Sequence, residues 1–486
     1  MAEMALLITR DAIGLGAFAK GLTAKMDLEF VGLPVAARAL EEEGLECRVV
    51  EEVDLLGLLD ELGDRLSVVV ANFQAVEGVG RQFHSWQAAM RKMDSLIVES
   101  VARLATRPDR YAVFGNPNEY DSALEAWGKK GFSMDFKVGL ASRALAAVAE
   151  FHSSLGRYLE ANAGERPDVT ALSGFPKTLS GSWKREMVFT QGENAHQMAA
   201  LYGDFFESFE ILRGEALNFS EVGDFSAAVL LIGEFQKPAI GMVQFGDVLA
   251  VSNGDSAATA WERLDGEKVR RFDGGVVIVN VTVDGDLARK VAGLKSATVI
   301  APNYGEDALE VFKEVEGVRL ATSKEGLGSE VMQQFRSVAG GILVQDLDRA
   351  SVNPFEWKTL TRAQPLVDRW SDLLFAVKVS RHMRSSCVLA AKDESVIAAA
   401  RAELSQILAW QRLKELSASV DLKGTVVAFD EAIGEVEILR EARALGVDTI
   451  LHAGWGEGSE RENELLQVAD ECGLVLVATG TGYRRC

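Results

Sequence analysis

The chain has 486 residues, 48% of them apolar and 25% charged, with a net charge of −21. That apolar fraction excludes a disordered chain, and the length suggests about two to four domains. A surface this acidic repels phosphate backbones, which argues against nucleic-acid binding.

No apolar run approaches the roughly 20 residues of a membrane helix, so no membrane contact is expected. The start, Met1 to Met4, lacks the basic region of a signal peptide. The four Cys, at 47, 387, 472 and 486, form no CxxC. This predicts a reducing, cytoplasmic compartment, with neither a zinc site nor a disulfide framework.

Short aliphatic runs alternate with stretches of helical period along the chain. Ala5 to Thr9 reads as a strand, Gly14 to Lys25 as a helix, Val68 to Ala71 as a strand and Phe83 to Ala105 as helical. Tyr111 to Gly115 is a further strand, a helix starts near Asn118, and Val138 to Glu160 is a long amphipathic segment. Gly, Pro, Ser and Asn gather from Glu160 to Ser182, which reads as a linker. Beyond it, strands are predicted at Ala239–Gln244, Gly275–Val281, Thr298–Ala301, Val318–Ala321 and Gly340–Gln345. Four more follow at Cys387–Ala391, Thr425–Phe429, Thr449–His452 and Leu474–Ala478. The pattern predicts an α/β protein with mostly parallel sheet, its second half divided into two subdomains. No repeat of 20–50 residues is visible.

Four stretches are candidates for chemistry. Gly454-Trp455-Gly456-Glu457-Gly458 follows a strand and precedes a helix, where a glycine turn can cradle phosphate. Glu457 would repel an anion and the pattern is not a full GxGxxG, so a plain tight turn is the preferred reading there. Gln191 to Gln197 is a polar cluster with one His, ahead of an expected amphipathic helix at Met198–Phe209. It suits acid–base work or a helix N-cap on Asn194. The five His (84, 152, 196, 382, 452) form no metal-binding spacing, and His382 sits in a basic stretch, Lys378 to Arg384, that reads as a solvated face. Gly340 to Asp346 reads as a strand ending in an acidic residue, placed to face a ligand or simply to start a turn.

The stretch Gly192-Glu193-Asn194-Ala195-His196-Gln197 resembles a motif of the PurH family, bifunctional purine-biosynthesis enzymes that fuse AICAR transformylase to IMP cyclohydrolase. The family writes it Arg-Tyr-Gly-x-Asn-Pro-His-Gln. Further similarities follow in order: Val299 to Pro302 with Glu306 to Glu310, Gly340 to Asp346, Trp357 to Pro365, Asp372 to Lys378, and Thr479-Gly480 with Arg485. Ala5 to Asp11 and Gly14 to Leu22 resemble the opening of the cyclohydrolase domain. The resemblance implies a methylglyoxal-synthase-like domain over 1–160, a linker over 161–182, and two cytidine-deaminase-like subdomains over 183–346 and 347–486. It also implies an intertwined homodimer and 10-formyltetrahydrofolate as formyl donor.

The polar positions depart from the family. Its transformylase Lys and His, the latter its proton-transfer group, align with Gln244 and Phe245. General acid–base catalysis contributes about 10²–10⁴ in rate, and neither replacement supplies it. The Arg-Tyr that grips the AICAR phosphate reads Thr190-Gln191. The family's Gly-rich loop reads Ala398 to Glu403, a composition that favours helix. In the first domain the family's phosphate loop reads Phe30-Val31-Gly32-Leu33-Pro34, and Asn72 to Glu77 lacks the family's Tyr. The resemblance leaves Asn194 and His196 as retained catalytic positions and Gly192, Asp346, Asp430 and Arg485 for substrate binding, with Arg401 newly placed. Three readings follow. One is a non-catalytic paralogue, as homodimer or in a heteromer with an authentic PurH subunit. The second is a divergent enzyme on a related small nucleotide or folate. The third is residual transformylase, with Lys237 and His382 as substitutes for the lost pair.

Overall fold

A computed structural model describes residues 3–73, 76, 85–128, 131–162, 175, 178–264, 266–324, 333–418, 420–455 and 460–483. The chain divides into two compact units, Met1–Trp183 and Lys184–Cys486.

The first unit is built on a five-stranded sheet. Its strands are β1 (Glu3–Ile8), β2 (Leu28–Gly32), β3 (Cys47–Val49), β4 (Leu66–Ala71) and β5 (Ala112–Phe114), in the order β3-β2-β1-β4-β5. All its pairings are parallel. The central strands are continuous aliphatic runs because both faces are covered. Leu6, Ile8 and Val69 pack under the helices Ser95–Ala105 and Met134–Asn162. Leu7, Val68 and Val70 pack on the other face with Phe18 and Tyr120. The helix expected from Phe83 is, in its described part, two helices, Trp86–Met90 and Ser95–Ala105. The long helix runs past Glu160 to Asn162, into the stretch read as linker.

The second unit carries a twelve-stranded sheet and two separate hairpins. One hairpin pairs β6 (Arg185–Phe189) with β7 (Ala199–Tyr202). The sheet takes β8 (Phe209–Arg213), β9 (Ala239–Gln244), β10 (Asp247–Asn253), β11 (Val276–Val279), β12 (Ala297–Ala301) and β13 (Val318–Ser323). The other hairpin is β14 (Gln333–Val338) with β15 (Gly341–Asp346). The sheet continues with β16 (Lys358–Thr359), β17 (Cys387–Lys392), β18 (Ser395–Arg401), β19 (Val426–Phe429), β20 (Thr449–His452) and β21 (Val475–Ala478). The order is β16-β21-β20-β19-β17-β18-β10-β9-β11-β12-β13-β8.

This order contains a long internal repeat. Each half runs edge strand, helix, antiparallel hairpin and then three parallel strands. The first half uses β8, the helix Phe219–Ile232, β9–β10 and β11 to β13; the second uses β16, the helix Arg369–Ser380, β17–β18 and β19 to β21. A single pairing, Ser252 with Ser395, joins them. On one face the helices of both halves share one core, including Phe225, Leu231, Phe375 and Leu389. The opposite face has a separate core in each half, around Leu287 and Phe312 and around Trp410 and Leu439.

Four expectations are corrected here. The second sheet is mixed rather than mostly parallel, because each half opens with a hairpin and closes on an antiparallel edge. Met198–Phe209 is not a helix: β7 occupies Ala199–Tyr202, Gly203 takes a φ of 125°, and only Phe205–Ser208 is helical. Ala398 to Arg401 lies in β18, where pairing with β17 overrides the helical propensity of alanine. The strand ending at Asp346 belongs to an antiparallel two-stranded hairpin, not to the C-terminal edge of a parallel sheet.

Candidate functional site

The turn between β9 and β10 is two residues long, Phe245 and Gly246, closed by the pairing of Gln244 with Asp247. Their φ values are 56° and 71°, the type I′ pattern that suits the twist of a hairpin. Two side chains from other elements fix it. The Asp224 carboxylate, 2% exposed on the helix Phe219–Ile232, accepts the Gly246 N–H at 2.5 Å. Arg384 Nη1 donates to the Phe245 carbonyl at 2.9 Å. Burial pushes the Asp224 carboxyl above the usual carboxylate range, while the backbone N–H groups of Gly246 and Phe245 pull the other way.

The second half repeats this device. Asp393 and Glu394 join β17 to β18 with φ values of 51° and 54°. Asp372, also 2% exposed, accepts the Glu394 N–H at 2.7 Å, and burial likewise raises its carboxyl.

Phe245 lines a cleft of about 940 Å³. One wall is the helix Phe219–Ile232, through Phe219, Val222 and Leu230. The hairpins contribute Phe189 and Leu201, and Phe335 and Arg336. His382, Met383 and Arg384 complete it, in the segment after the helix Arg369–Ser380. His382 is not on a solvated face, as its basic neighbours suggested: its side chain is 4% exposed, with Nε2 3.2 Å from Glu234 Oε1. The same carboxylate meets Arg381 Nη1 at 3.3 Å, and Lys378 Nζ donates to the Glu234 carbonyl at 2.7 Å. Burial lowers the Lys378 ammonium, with Glu234 and Glu394 opposing the shift. The basic stretch is thus mostly turned inward onto Glu234.

Of the residues singled out in the sequence, Phe245 and His382 share this cleft, whereas the described residues that the resemblance marks as retained do not converge on it. Gly192 to Gln197 forms the tip of the β6–β7 hairpin: the Gly192 N–H donates to the Gln197 carbonyl at 2.8 Å, and Gln197 Oε1 accepts the Asn194 N–H at 2.9 Å. Asn194 and His196 are exposed, and of that tip Glu193 lines the cleft. Asp346 is exposed at the end of β15, whereas its neighbour Gln345 lines the cleft. Asp430 follows β19 and accepts from Ser386 Oγ at 3.1 Å, away from the cleft lining. Arg401 is tied to Asp247 Oδ2 at 2.8 Å and to the Val248 carbonyl at 2.9 Å. Lys237 pairs with Glu394 at 2.7 Å rather than entering the cleft. Gln244 Nε2 donates to the Asp273 carbonyl at 2.8 Å. Arg485, and Gly456 to Gly458 of the glycine turn, lie outside the described residues. Among the described residues, no group of three or more His, Cys, Asp or Glu could hold a metal ion. No helix there is long and apolar enough to cross a membrane.

Sequence reasoning missed Asp224 and Arg384. Asp224 sits in an apolar helix, and a charged residue amid Val, Phe and Ala was the available signal.

In the first unit, the C-terminal ends of β1 and β4 carry an ion-pair cluster. Arg10 Nε donates to Asp94 Oδ1 at 2.6 Å, and its Nη2 donates to Glu52 Oε2 at 2.7 Å. Asn72 Oδ1 accepts the Arg10 N–H at 2.5 Å, and Asn72 Nδ2 donates to Asp11 Oδ2 at 2.7 Å. The junction after β2 has buried Leu33 followed by Pro34 at the first helical position. Neither hydroxyls nor a free N–H at residue 34 are offered to a phosphate there.

Residues 108–412 match the family described as AICARFT/IMPCHase bienzyme. The chain belongs to this bienzyme family. Its relatives are bifunctional purine biosynthesis proteins PurH. That of Synechococcus sp. (strain CC9311) is 29% identical over 87% of this chain and 82% of its own length. That of Chloroflexus aurantiacus is 27% identical over 99% of this chain and 98% of its own. The Bacillus cereus (strain G9842) protein is 25% identical over 99% of each. The crystal structure of ForH aligns with 32% of this chain and 98% of its own at 15% identity, with a TM-score of 0.26. Membership in this family points to purine biosynthesis.

Proposed function

We propose that this bienzyme-family member has lost both family reactions and acts in the cytoplasm as a non-catalytic paralogue or partner. One observation carries the reading. Where the family resemblance sets a Lys and a proton-transferring His, the Gln244 amide is bonded to a backbone carbonyl and Phe245 presents a hydrocarbon ring. Neither Gln244 nor Phe245 is an acid or a base, so this turn does not fit formyl transfer from 10-formyltetrahydrofolate. The first unit supports the same reading, because the stretch that the resemblance aligns with the family's phosphate loop offers neither hydroxyls nor an N–H at Pro34.

The partner is a second copy or an authentic PurH subunit. Exposed apolar side chains on both hairpins, including Val188, Met198, Phe335, Ile342 and Leu343, support docking there. Formyl transfer to AICAR and cyclisation of its product are assayed beside an active PurH, with size exclusion of the two chains mixed. No turnover and a shared elution peak are expected. Turnover of either substrate overturns the reading.

One observation favours a second reading, a divergent enzyme on a related nucleotide or folate. His382 is buried, lines the cleft and faces Glu234, an arrangement able to move a proton. Product formation abolished by His382→Gln would establish it.

A further inference from the structure

The twelve-stranded sheet of the second unit is nearly cut in two at its middle. β9 pairs with β10 from Asp247 to Asn253, and β17 pairs with β18 from Ser395 to Arg401. Between β10 and β18 the pairing is confined to Ser252 and Ser395, with the Asn253 N–H donating to the Glu394 carbonyl beside it. Further along, side chains take the place of the ladder. Arg401 Nη1 donates to the Val248 carbonyl at 2.9 Å, and Lys268 Nζ, on the helix Gly266–Arg271, donates to the Ile397 carbonyl at 3.2 Å. Each half thus lends a cation to the other half's strand. A backbone ladder fixes the spacing of two strands, whereas a long, flexible cationic side chain keeps its bond over a range of spacings.

The packing is divided along the same line. On one face Val248, Val251, Leu389 and Val396 belong to a single core that crosses the junction. On the other face the cores around Leu287 and around Trp410 are separate. There the end of the helix Ala257–Arg263 spans the junction. Ser252 Oγ donates to the Ala260 carbonyl, and Ser395 Oγ, from the other half, donates to the Arg263 carbonyl at 2.8 Å. Arg263 Nη1 donates to the Asn253 carbonyl of its own half at 2.8 Å and to the Asp393 carbonyl of the other at 3.1 Å. Arg263 is exposed, so water competes for these bonds and each contributes little.

We infer that the β10–β18 junction is a hinge: the two halves turn about the shared core, and Arg263 is the latch on the divided face. The cleft takes Phe245 from the first half and Met383 and Arg384 from the second, so the hinge sets its width. Such a hinge serves a catalytic and a non-catalytic chain alike.

The test is amide hydrogen exchange on the full chain, read by mass spectrometry. Arg263→Met should speed exchange over Leu249–Asn253 and Ser395–Ile397 about tenfold or more, with Ala297–Ala301 and Thr449–His452 as slow as in the wild type. Ser252 and Ser395 form a non-hydrogen-bonded pair, whose Cα atoms lie about 4.5 Å apart in such ladders, within reach of a disulfide. Ser252→Cys with Ser395→Cys, oxidised, should therefore return the Arg263→Met chain to wild-type exchange, and reduction should undo it. Equal exchange at the junction in the wild type and Arg263→Met overturns the hinge. So does an acceleration that spreads evenly into β12 and β20, and so does a disulfide that leaves exchange at the junction unaltered.

Discussion

Asp224 and Asp372 occupy equivalent places, 148 residues apart, and each turns a buried carboxylate onto the backbone N–H of a two-residue turn, Gly246 in one case and Glu394 in the other. Among the described residues neither aspartate forms an ion pair, although Arg384 and Arg369 each favour the charged form of one of them. The turn takes a carboxylate because a strained pair of residues presents N–H groups that would otherwise be buried without an acceptor.

Replacing either aspartate by Ala leaves those donors unsatisfied. Asp224→Ala and Asp372→Ala should each cost about 2–3 kcal/mol in urea unfolding. The Asn variants keep an acceptor oxygen and should cost less. Equal losses for Ala and Asn would show that the carboxylate serves packing and not the turn.

His452 is fully buried at the end of β20, and burial lowers its imidazole to about 4. Its Nδ1 accepts the Gly454 N–H at 3.0 Å, which holds the ring neutral. The unfolded chain binds the proton more readily, near pH 6.5, so stability from this source is present above that value. It is lost as pH falls toward 4, on the order of 3 kcal/mol across the window. His452→Gln should flatten the stability profile between pH 4 and 6.5, read from denaturant midpoints at stepped pH. An unchanged acid limb would rule this residue out as its source.

Arg10 neutralises Asp94, which is itself buried. Arg10→Ala should destabilise the first unit by about 3 kcal/mol, because it strands a buried charge. The double variant with Asp94→Leu should recover part of that loss. No recovery in the double variant would mean that the Arg10 side chain acts through Glu52 alone.

Ala402 follows β18 with a φ of 58° and an exposed methyl group. Ala402→Gly should stabilise the chain by about 1 kcal/mol, since glycine takes this conformation without strain. A lower melting temperature would contradict the positive φ.

Much of the frame was legible because buried strands read as plain aliphatic runs. Val276–Val279, Ala297–Ala301 and Val426–Phe429 are buried throughout, so no alternation was needed to find them. The hairpins β6–β7 and β14–β15 were harder, because both faces are partly open and their sequences lack a clean period of two. Gly340–Gln345 was found for its aliphatic content, but its partner Gln333–Val338 was not. The site was least legible. Turn chemistry predicts Asn-Gly or Asp-Gly, and neither Phe245-Gly246 nor Asp393-Glu394 fits. Asp224 and Arg384 reach that turn from 22 and 139 residues away, and no local pattern announces such contacts.

A sheet of twelve strands has two outer rims, and this one finishes both with little to extend. One rim is β16, only two residues long. The other is β8, which carries Glu210 and Arg213 and pairs with β13 through an irregular register. Short, charged or bulged rims are poor templates for another molecule's strand. Strand-by-strand aggregation through this sheet is thereby disfavoured at both of its ends, and its backbone hydrogen-bonding groups stay committed within one chain.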